Sequence, residues 1–451
     1  MSRAHFIGIG GAGMSVVAEL FLARGWQVSG SDARDSAVLA RLRGAGAQVQ
    51  VGHEAGHVDG ADLVVVSSAV QESNPELIAA RETGLEVTHR SEALTRAAGD
   101  LDVVAVAGAH GKTTTSAMLA VALQAAGADP SFAIGGTVLA LGTGAHLGGG
   151  RMFVAEADES DGSFLRYHPQ IGVVTNIEPD HLDHWGTAEA FAEAFVDFAR
   201  TIKPGGLLVA CADDAGAARL AARATDLGIR VRTYGTGTAD VRIQIVELGA
   251  SRSRARLHDG ARGVDLDLTV PGEHNVRNAA AAWCAGVELG VPGEEMAAAL
   301  STFGGTARRF EDRGSADGVR VVDDYAHNPT KVAAAVATAR RAAGDGRLLV
   351  LFQPHLYSRT ADFAAEFADA LAGADEVVLT AVYGAREAPV PGVTSALITD
   401  RLPGSRYVPD RVEAARTVAD LAVPGDLVMT VGAGDVTELV TVVLAALEER
   451  S

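Results

Sequence analysis

The sequence predicts an α/β protein of three domains built on mostly parallel sheets, and three observations carry that prediction. Short apolar runs alternate with amphipathic or Ala-rich helical stretches along the chain, as parallel βαβ units require. Two glycine-rich turns each stand between such a run and a helix, which places anion sites at strand ends. At 451 residues the chain is long enough for roughly three domains of ordinary size.

The first segment has apolar runs at 5–9 and 61–66 and helical stretches at 14–23 and 75–83. A second block opens at Leu101 with a strand at 103–107, a glycine-rich turn and a helix at 115–126. It continues through strands at 152–155, 171–175 and 207–210 to an Ala-rich helix at 276–289. Gly148-Gly149-Gly150 reads as a loop before the 152–155 strand, and no internal repeat is visible. A third block follows Arg308-Arg309-Phe310, with strands at 319–322, 347–352, 376–380 and 427–431 separated by Ala-rich helices. The predicted domains are 1–98, 99–312 and 313–451, the first and third Rossmann-like and the second resembling a P-loop ATPase sheet.

Composition narrows the function classes. With 48% apolar and 21% charged residues the chain reads as soluble, with ample material for cores. A net charge of −19 without a basic stripe argues against nucleic-acid binding, so anionic ligands must be held at local sites. Cys211 and Cys284 lie in apolar or Ala-rich surroundings without metal or disulfide spacing and read as inert core residues. Met1 to Phe6 run straight into a strand, with no signal peptide and no membrane-spanning stretch, so a cytoplasmic location without membrane partners is expected.

The densest chemistry is Gly108-Ala109-His110-Gly111-Lys112-Thr113-Thr114, between the 103–107 strand and the following helix. Backbone N–H groups and the helix dipole make a phosphate cradle there, Lys112 adds charge, and Thr113 offers a hydroxyl to Mg²⁺, so ATP or GTP is the natural ligand. Against the usual G-x-x-x-x-G-K-[ST] pattern the first Gly position is Val106, so this is a tighter variant. Of 38 basic residues only Lys112, Lys203 and Lys331 are lysines. A flexible point charge that follows a moving phosphate is a physical reason to keep Lys112 where arginine serves elsewhere. The bland alternative is a chance Gly-Lys-Thr at a helix start.

Gly8-Ile9-Gly10-Gly11-Ala12-Gly13 follows the first strand, and Asp32 ends the next one about 20 residues on, a spacing that suits a diphosphate-bearing nucleotide. Glu156-Ala157-Asp158-Glu159-Ser160-Asp161 sits at a strand end, where four carboxylates call for cations such as Mg²⁺ unless the loop is merely solvated. Asn176-Ile177-Glu178-Pro179-Asp180-His181-Leu182-Asp183-His184 also follows a strand and reads either as a second metal shell or as a turn around Pro179. Two acidic strand ends beside a phosphate loop suggest metal-assisted phosphoryl transfer. Gly272 to Asn278 opens a helix whose amides could read a base edge, with Asn275 equally readable as a helix cap. Asp323 to Pro329 and Gln353 to Thr360 lie just past third-block strands.

Together these motifs closely resemble the Mur ligases of peptidoglycan synthesis, from Gly8-Ile9-Gly10-Gly11-Ala12-Gly13-Met14 to Gly432-Ala433-Gly434-Asp435. The resemblance implies that the three domains bind a UDP-sugar, ATP and, in part, an amino acid. It points to the member reaction in which ATP phosphorylates the lactyl carboxylate of UDP-N-acetylmuramate and the amine of L-alanine attacks the acyl phosphate. It implies UDP-sugar contacts at Gly10, Gly11, Ala12, Gly13, Asp32 and Ser67. ATP contacts follow at Gly108, Ala109, His110, Gly111, Lys112, Thr113, Thr114, Asn275, Asn278, Arg309 and Asp324. Mg²⁺ would lie on Thr113 and Glu156, with a second cation at His181. The amino-acid or intermediate side falls to Tyr325, His327 and Arg359, and the reacting groups to Lys112, His181, Arg309 and His327. Two departures stand out: Leu356 and Asn328 occupy positions where many relatives carry Arg and His, which makes Arg359 the expected cation. Sister ligases hold their second metal with a carbamylated lysine, a role that neither Lys203 nor Lys331 fits. Assembly as monomer or homodimer is left open. The alternatives are attachment of a recycled tripeptide to the same UDP-sugar and, remotely, an NAD-dependent oxidoreductase.

Overall fold

A computed structural model describes residues 2–385 and 387–450, except for the side chains of Leu182 and Asp183. The fold is three-domain α/β, with mostly parallel sheets. The first sheet has five parallel strands in the order Gln48–Val51, Gln27–Asp32, Arg3–Ile7, Leu63–Val66, Glu86–His89. Its order reverses beside Arg3–Ile7, and doubly wound sheets bind ligands outside the carboxyl ends at such a switch point. Ile7, Val64, Leu77 and Ala80 form a dry cluster on one face of it.

The second sheet has ten strands, with Asp102–Ala107 between Ile171–Val174 and Met152–Glu156, all parallel. Beyond Ile171–Val174 lie Leu207–Cys211 and Arg230–Gly235, also parallel. That flank ends in Val241–Leu248, Ser253–Asp259 and Arg262–Leu268, three strands missing from the sequence reading. The other flank ends in Ser131–Val138 and Thr143–His146, which pair antiparallel. Cys211 and Cys284 are buried free thiols, and burial pushes Cys284 up to about 12, so both are unreactive core residues as expected.

The third sheet runs Glu311–Ala316, Val319–Asp324, Leu427–Val431, Leu348–Phe352, Glu376–Leu379, Arg406–Tyr407, with only the first pair antiparallel. Strand periodicity splits its residues between two cores: Val322, Val350, Phe352 and Met429 enter one, Val321, Leu349, Leu351 and Val428 the other. Runs buried on both faces explain why these strands read as continuous apolar stretches.

The chain divides into two compact units: residues 1–247, 254–269 and 273–304, which hold the first two sheets, and 248–253, 270–272 and 305–451, which hold the third. Three helices start two or three residues earlier than the sequence reading, the first of them at Ala12 in place of 14. The helix after the phosphate loop is Lys112–Ala125, beginning three residues early because Gly111, with φ of +80°, takes the cap position. The Ala-rich helix is Glu273–Glu288, so Asn275 lies in its first turn and is not its N-cap. Among the described residues no helix is long and apolar enough to cross a membrane.

Candidate active site

The Asp102–Ala107 strand is apolar and buried from Val103 on, and its carboxyl end delivers Gly108 into the phosphate loop. Gly108 has φ of +133°, and a methyl group there would overlap Thr175 Oγ1, so the loop can pass only as glycine. At Gly111 an added Cβ would sit 2.7 Å from Asn278 Oδ1, which places Asn278 directly against the loop. The first amides of the Lys112–Ala125 helix have no partner within it, the ordinary basis of an anion site.

Lys112 folds back over the loop. Its Nζ donates to Gly108 O at 2.6 Å and lies 2.6 Å from Glu159 Oε2. Burial works against the ammonium, but Glu159 and Asp158 outweigh it and hold the pKa above lysine's usual value. Glu159 is 1% exposed, and Trp185 Nε1 donates to its backbone carbonyl at 3.0 Å. Thr113 Oγ1 donates to Glu156 Oε1 at 2.8 Å, and Gly135 N donates to Oε2 of the same carboxylate at 2.8 Å. His181, in the left-handed region with φ of +53°, brings Nε2 to 3.9 Å from Glu159 Oε1 and 3.8 Å from Asp180 Oδ2.

The acidic strand end is partitioned among partners of its own, two of them the cations Arg90 and Lys112. Asp158 accepts from Arg90 Nη2 at 2.6 Å, and Asp161 accepts from Ser68 Oγ at 2.8 Å. Only Glu156 and Glu159 of the four bond to phosphate-loop side chains. Among the described residues no group of three or more His, Cys, Asp or Glu is arranged to hold a metal.

Several loop supports escaped the sequence reading. Asn176 Oδ1 accepts from His110 N at 2.9 Å, Thr175 Oγ1 donates to His110 O at 2.5 Å, and Glu178 Oε2 lies 3.0 Å from His110 Nε2. Asn176 and Glu178 are therefore clamps on the loop. The signal available was polar residues directly after the 171–174 strand, parallel to and beside the loop's own strand.

In the first sheet, Gly10 N donates to Asp32 Oδ2 at 2.9 Å, and Gly8 N and Ile9 N donate to Ser31 O at 2.8 and 2.9 Å. Gly11 caps the Ala12–Ala23 helix, which holds Gly13 in its first turn. Ser67 follows the Leu63–Val66 strand and accepts from Val70 N at 3.0 Å through its backbone carbonyl. Gly10, Gly11, Gly13, Asp32 and Ser67 all lie at or just beyond the carboxyl ends of strands of this parallel sheet.

The second unit carries its own constellation. Asp324 ends the Val319–Asp324 strand and accepts from Phe310 N at 2.9 Å and Ala326 N at 2.8 Å. Burial pushes its carboxyl above the usual range, and Arg309 pulls it back. The guanidinium groups of Arg308 and Arg309 lie 4.8 and 5.2 Å from the Tyr325 ring centre. Arg308 and Phe310, on either side of Arg309, both have positive φ, +59° and +47°, a strained path that fixes Arg309. His327 stacks edge-on with Tyr325 and His355 at 5.2 and 5.9 Å, and Arg359 Nη1 reaches His355 Nδ1 at 3.5 Å. Burial, with Lys331 and Arg359 nearby, holds His327 well below the usual imidazole value. Asn328 caps the Pro329–Ala343 helix, accepting from Lys331 N at 2.8 Å, and Leu356 begins the Tyr357–Asp362 helix at φ of +73°.

Three family models match consecutive stretches of the chain: the Mur ligase family catalytic domain over residues 3–100, the Mur ligase middle domain over 106–286, and the Mur ligase glutamate ligase domain over 308–434. The chain belongs to the Mur ligase family. Among Mur ligases it is 57% identical to the UDP-N-acetylmuramate–L-alanine ligase of Kineococcus radiotolerans, over all of this chain and 97% of that protein. The crystal structure of the UDP-N-acetylmuramate–alanine ligase of Thermotoga maritima is similar with a TM-score of 0.86 and 29% identity, covering all of both chains. A murein peptide ligase from Psychrobacter arcticus is similar with a TM-score of 0.75 and 26% identity, covering 99% of each.

Proposed function

We propose that this Mur ligase joins L-alanine to the lactyl carboxylate of UDP-N-acetylmuramate, with cleavage of ATP to ADP and phosphate. The observation that carries the reading is the end-to-end identity of 57% to a ligase of that name. It is supported by a phosphate loop whose lysine, hydroxyl and carboxylate are already assembled. The γ-phosphoryl group passes to the lactyl carboxylate, the amine of L-alanine attacks the acyl phosphate, and phosphate leaves from the tetrahedral intermediate.

Each residue then has a task. Lys112 exchanges Gly108 O for the β- and γ-phosphates and keeps Glu159 as its anchor. The hydroxyl of Thr113 and the carboxylate of Glu156 are hard oxygen donors suited to Mg²⁺, and His181 with Glu159 suits a second cation. Bound there, Mg²⁺ supplies neutralisation of phosphate charge. Asn275 and Asn278 serve the nucleotide, Asn278 through its place against Gly111. Gly10 to Gly13, Asp32 and Ser67 hold the UDP-sugar, within a first domain ending near residue 98; the boundary near 312 belongs to the same proposal.

In the second unit His327 is neutral, and its Nδ1 lies 3.0 Å from the Tyr325 carbonyl. A carbonyl only accepts, so Nδ1 carries the proton and Nε2 keeps a lone pair able to accept a hydrogen bond from the amine of alanine. Arg309 and Arg359 offer forks to phosphate or carboxylate oxygens, and Asp324 orients the Arg309 segment.

Trapping tests the chemistry. With ATP, UDP-N-acetylmuramate and hydroxylamine but no amino acid, the enzyme should form the muramoyl hydroxamate and release ADP. ADP release without any hydroxamate would contradict the acyl-phosphate route.

A further inference from the structure

Arg90 opens the Arg90–Ala98 helix directly after the Glu86–His89 strand, at the carboxyl end of the first sheet. Its two terminal nitrogens do different things. Nη2 donates to Asp158 Oδ2 at 2.6 Å, whereas Nη1 lies against Gly13 so closely that a methyl group there would overlap it. Gly13 is in the first turn of the Ala12–Ala23 helix, at the glycine loop. Burial disfavours the guanidinium charge, but Asp158 and Asp161 outweigh it, and 23% of the side chain remains exposed. Asp158 in turn adjoins Glu159, the anchor of Lys112.

A guanidinium with one nitrogen tied to a carboxylate and the other beside the first turn of a helix is placed to take an anionic oxygen. We propose that Arg90 is the cation that holds an anionic oxygen of the UDP-sugar beside Gly13, while its bond to Asp158 links that ligand to the Lys112 loop. The inference rests on the glycine loop of the first sheet being the UDP-sugar site. The oxygen belongs either to the diphosphate or to the lactyl carboxylate, both anionic groups of the same ligand.

Calorimetric titration of the full chain, without ATP, distinguishes the outcomes. UDP-N-acetylmuramate and UDP-N-acetylglucosamine are titrated into wild type, Arg90→Gln, Arg90→Lys and Asp158→Asn, with ATP affinity and thermal midpoint measured alongside. Loss of one charge-assisted contact should weaken binding by about 10- to 100-fold in Arg90→Gln. Arg90→Lys should recover part of that loss, and Asp158→Asn, which keeps the cation, should weaken binding far less. Weakening for both sugars assigns the diphosphate; weakening for UDP-N-acetylmuramate alone assigns the carboxylate. Should Arg90→Gln fail to fold, weaker sugar binding by Arg90→Lys with unchanged ATP affinity gives the same support. Unchanged sugar affinity in the Arg90 variants, or equal loss in Arg90→Gln and Asp158→Asn, makes Arg90 a structural brace and overturns the inference alone. A wild type that binds neither sugar overturns the UDP-sugar reading of the glycine loop as well.

Discussion

At the scale of single residues, the phosphate loop was legible because its chemistry is local. Gly108, Gly111, Lys112 and Thr113 are neighbours in sequence, and the strand before them fixes their place. Its supports were not legible: Asn176 and Thr175 bond to His110 across more than 60 residues, and only the pairing of their strands brings them together. Lys112→Ala should leave the fold intact and lower turnover by about 10²-fold or more, the loss of an electrostatic contact of several kcal/mol. Lys112→Arg should not restore it, because a planar fork cannot follow the moving phosphate from the same anchor. Steady-state turnover near that of wild type in Lys112→Ala would remove the lysine from the mechanism. His181→Ala should slow phosphoryl transfer more than it weakens ATP binding, since Thr113 and Glu156 remain, and excess Mg²⁺ should restore part of the rate. Equal losses in both at every Mg²⁺ concentration would make His181 a turn residue only.

Elements were read best where they are buried on both faces. The strands Leu348–Phe352 and Leu427–Val431 stood out as apolar runs, whereas Val241–Leu248 and Ser253–Asp259 alternate buried and exposed residues and carry many charges. That alternation was present in the sequence, but the polar half masked it. The Pro75–Glu82 helix hides a further feature: Glu76 is fully buried, with Ser31 Oγ at 2.5 Å, His57 Nδ1 at 2.6 Å, His53 Nδ1 at 3.3 Å and His5 Nε2 at 3.6 Å. Burial alone would raise its pKa, but the close approach of His5 and the hydrogen bonds from Ser31 and His57 outweigh that and hold it at about 2 against 4.5 for the free side chain. A depressed carboxyl contributes stability that is fully present above the unfolded value and is lost as pH falls from 4.5 toward 2. Glu76→Gln should therefore destabilise the chain by about 3 kcal/mol at neutral pH, and its deficit relative to wild type should shrink across that acid window. Denaturant titrations at several pH values check this; a deficit independent of pH would mean that the carboxylate charge contributes nothing.

For the whole molecule, three α/β domains followed from alternation and length, and the chain carries three such sheets. The sequence left the organisation of the two compact units unread, because Leu248–Ser253 and Val270–Gly272 join the second unit from within the middle of the chain. Such excursions depend on contacts far apart in sequence and leave no local signal. The central claim, that this Mur ligase adds L-alanine to UDP-N-acetylmuramate, is tested most directly by phosphate release from ATP and UDP-N-acetylmuramate, with L-alanine, other amino acids and the cell-wall tripeptide supplied separately. Rapid release is expected with L-alanine, one phosphate for each amide formed, and little with the tripeptide. Release with the tripeptide alone, or none with L-alanine, would contradict it.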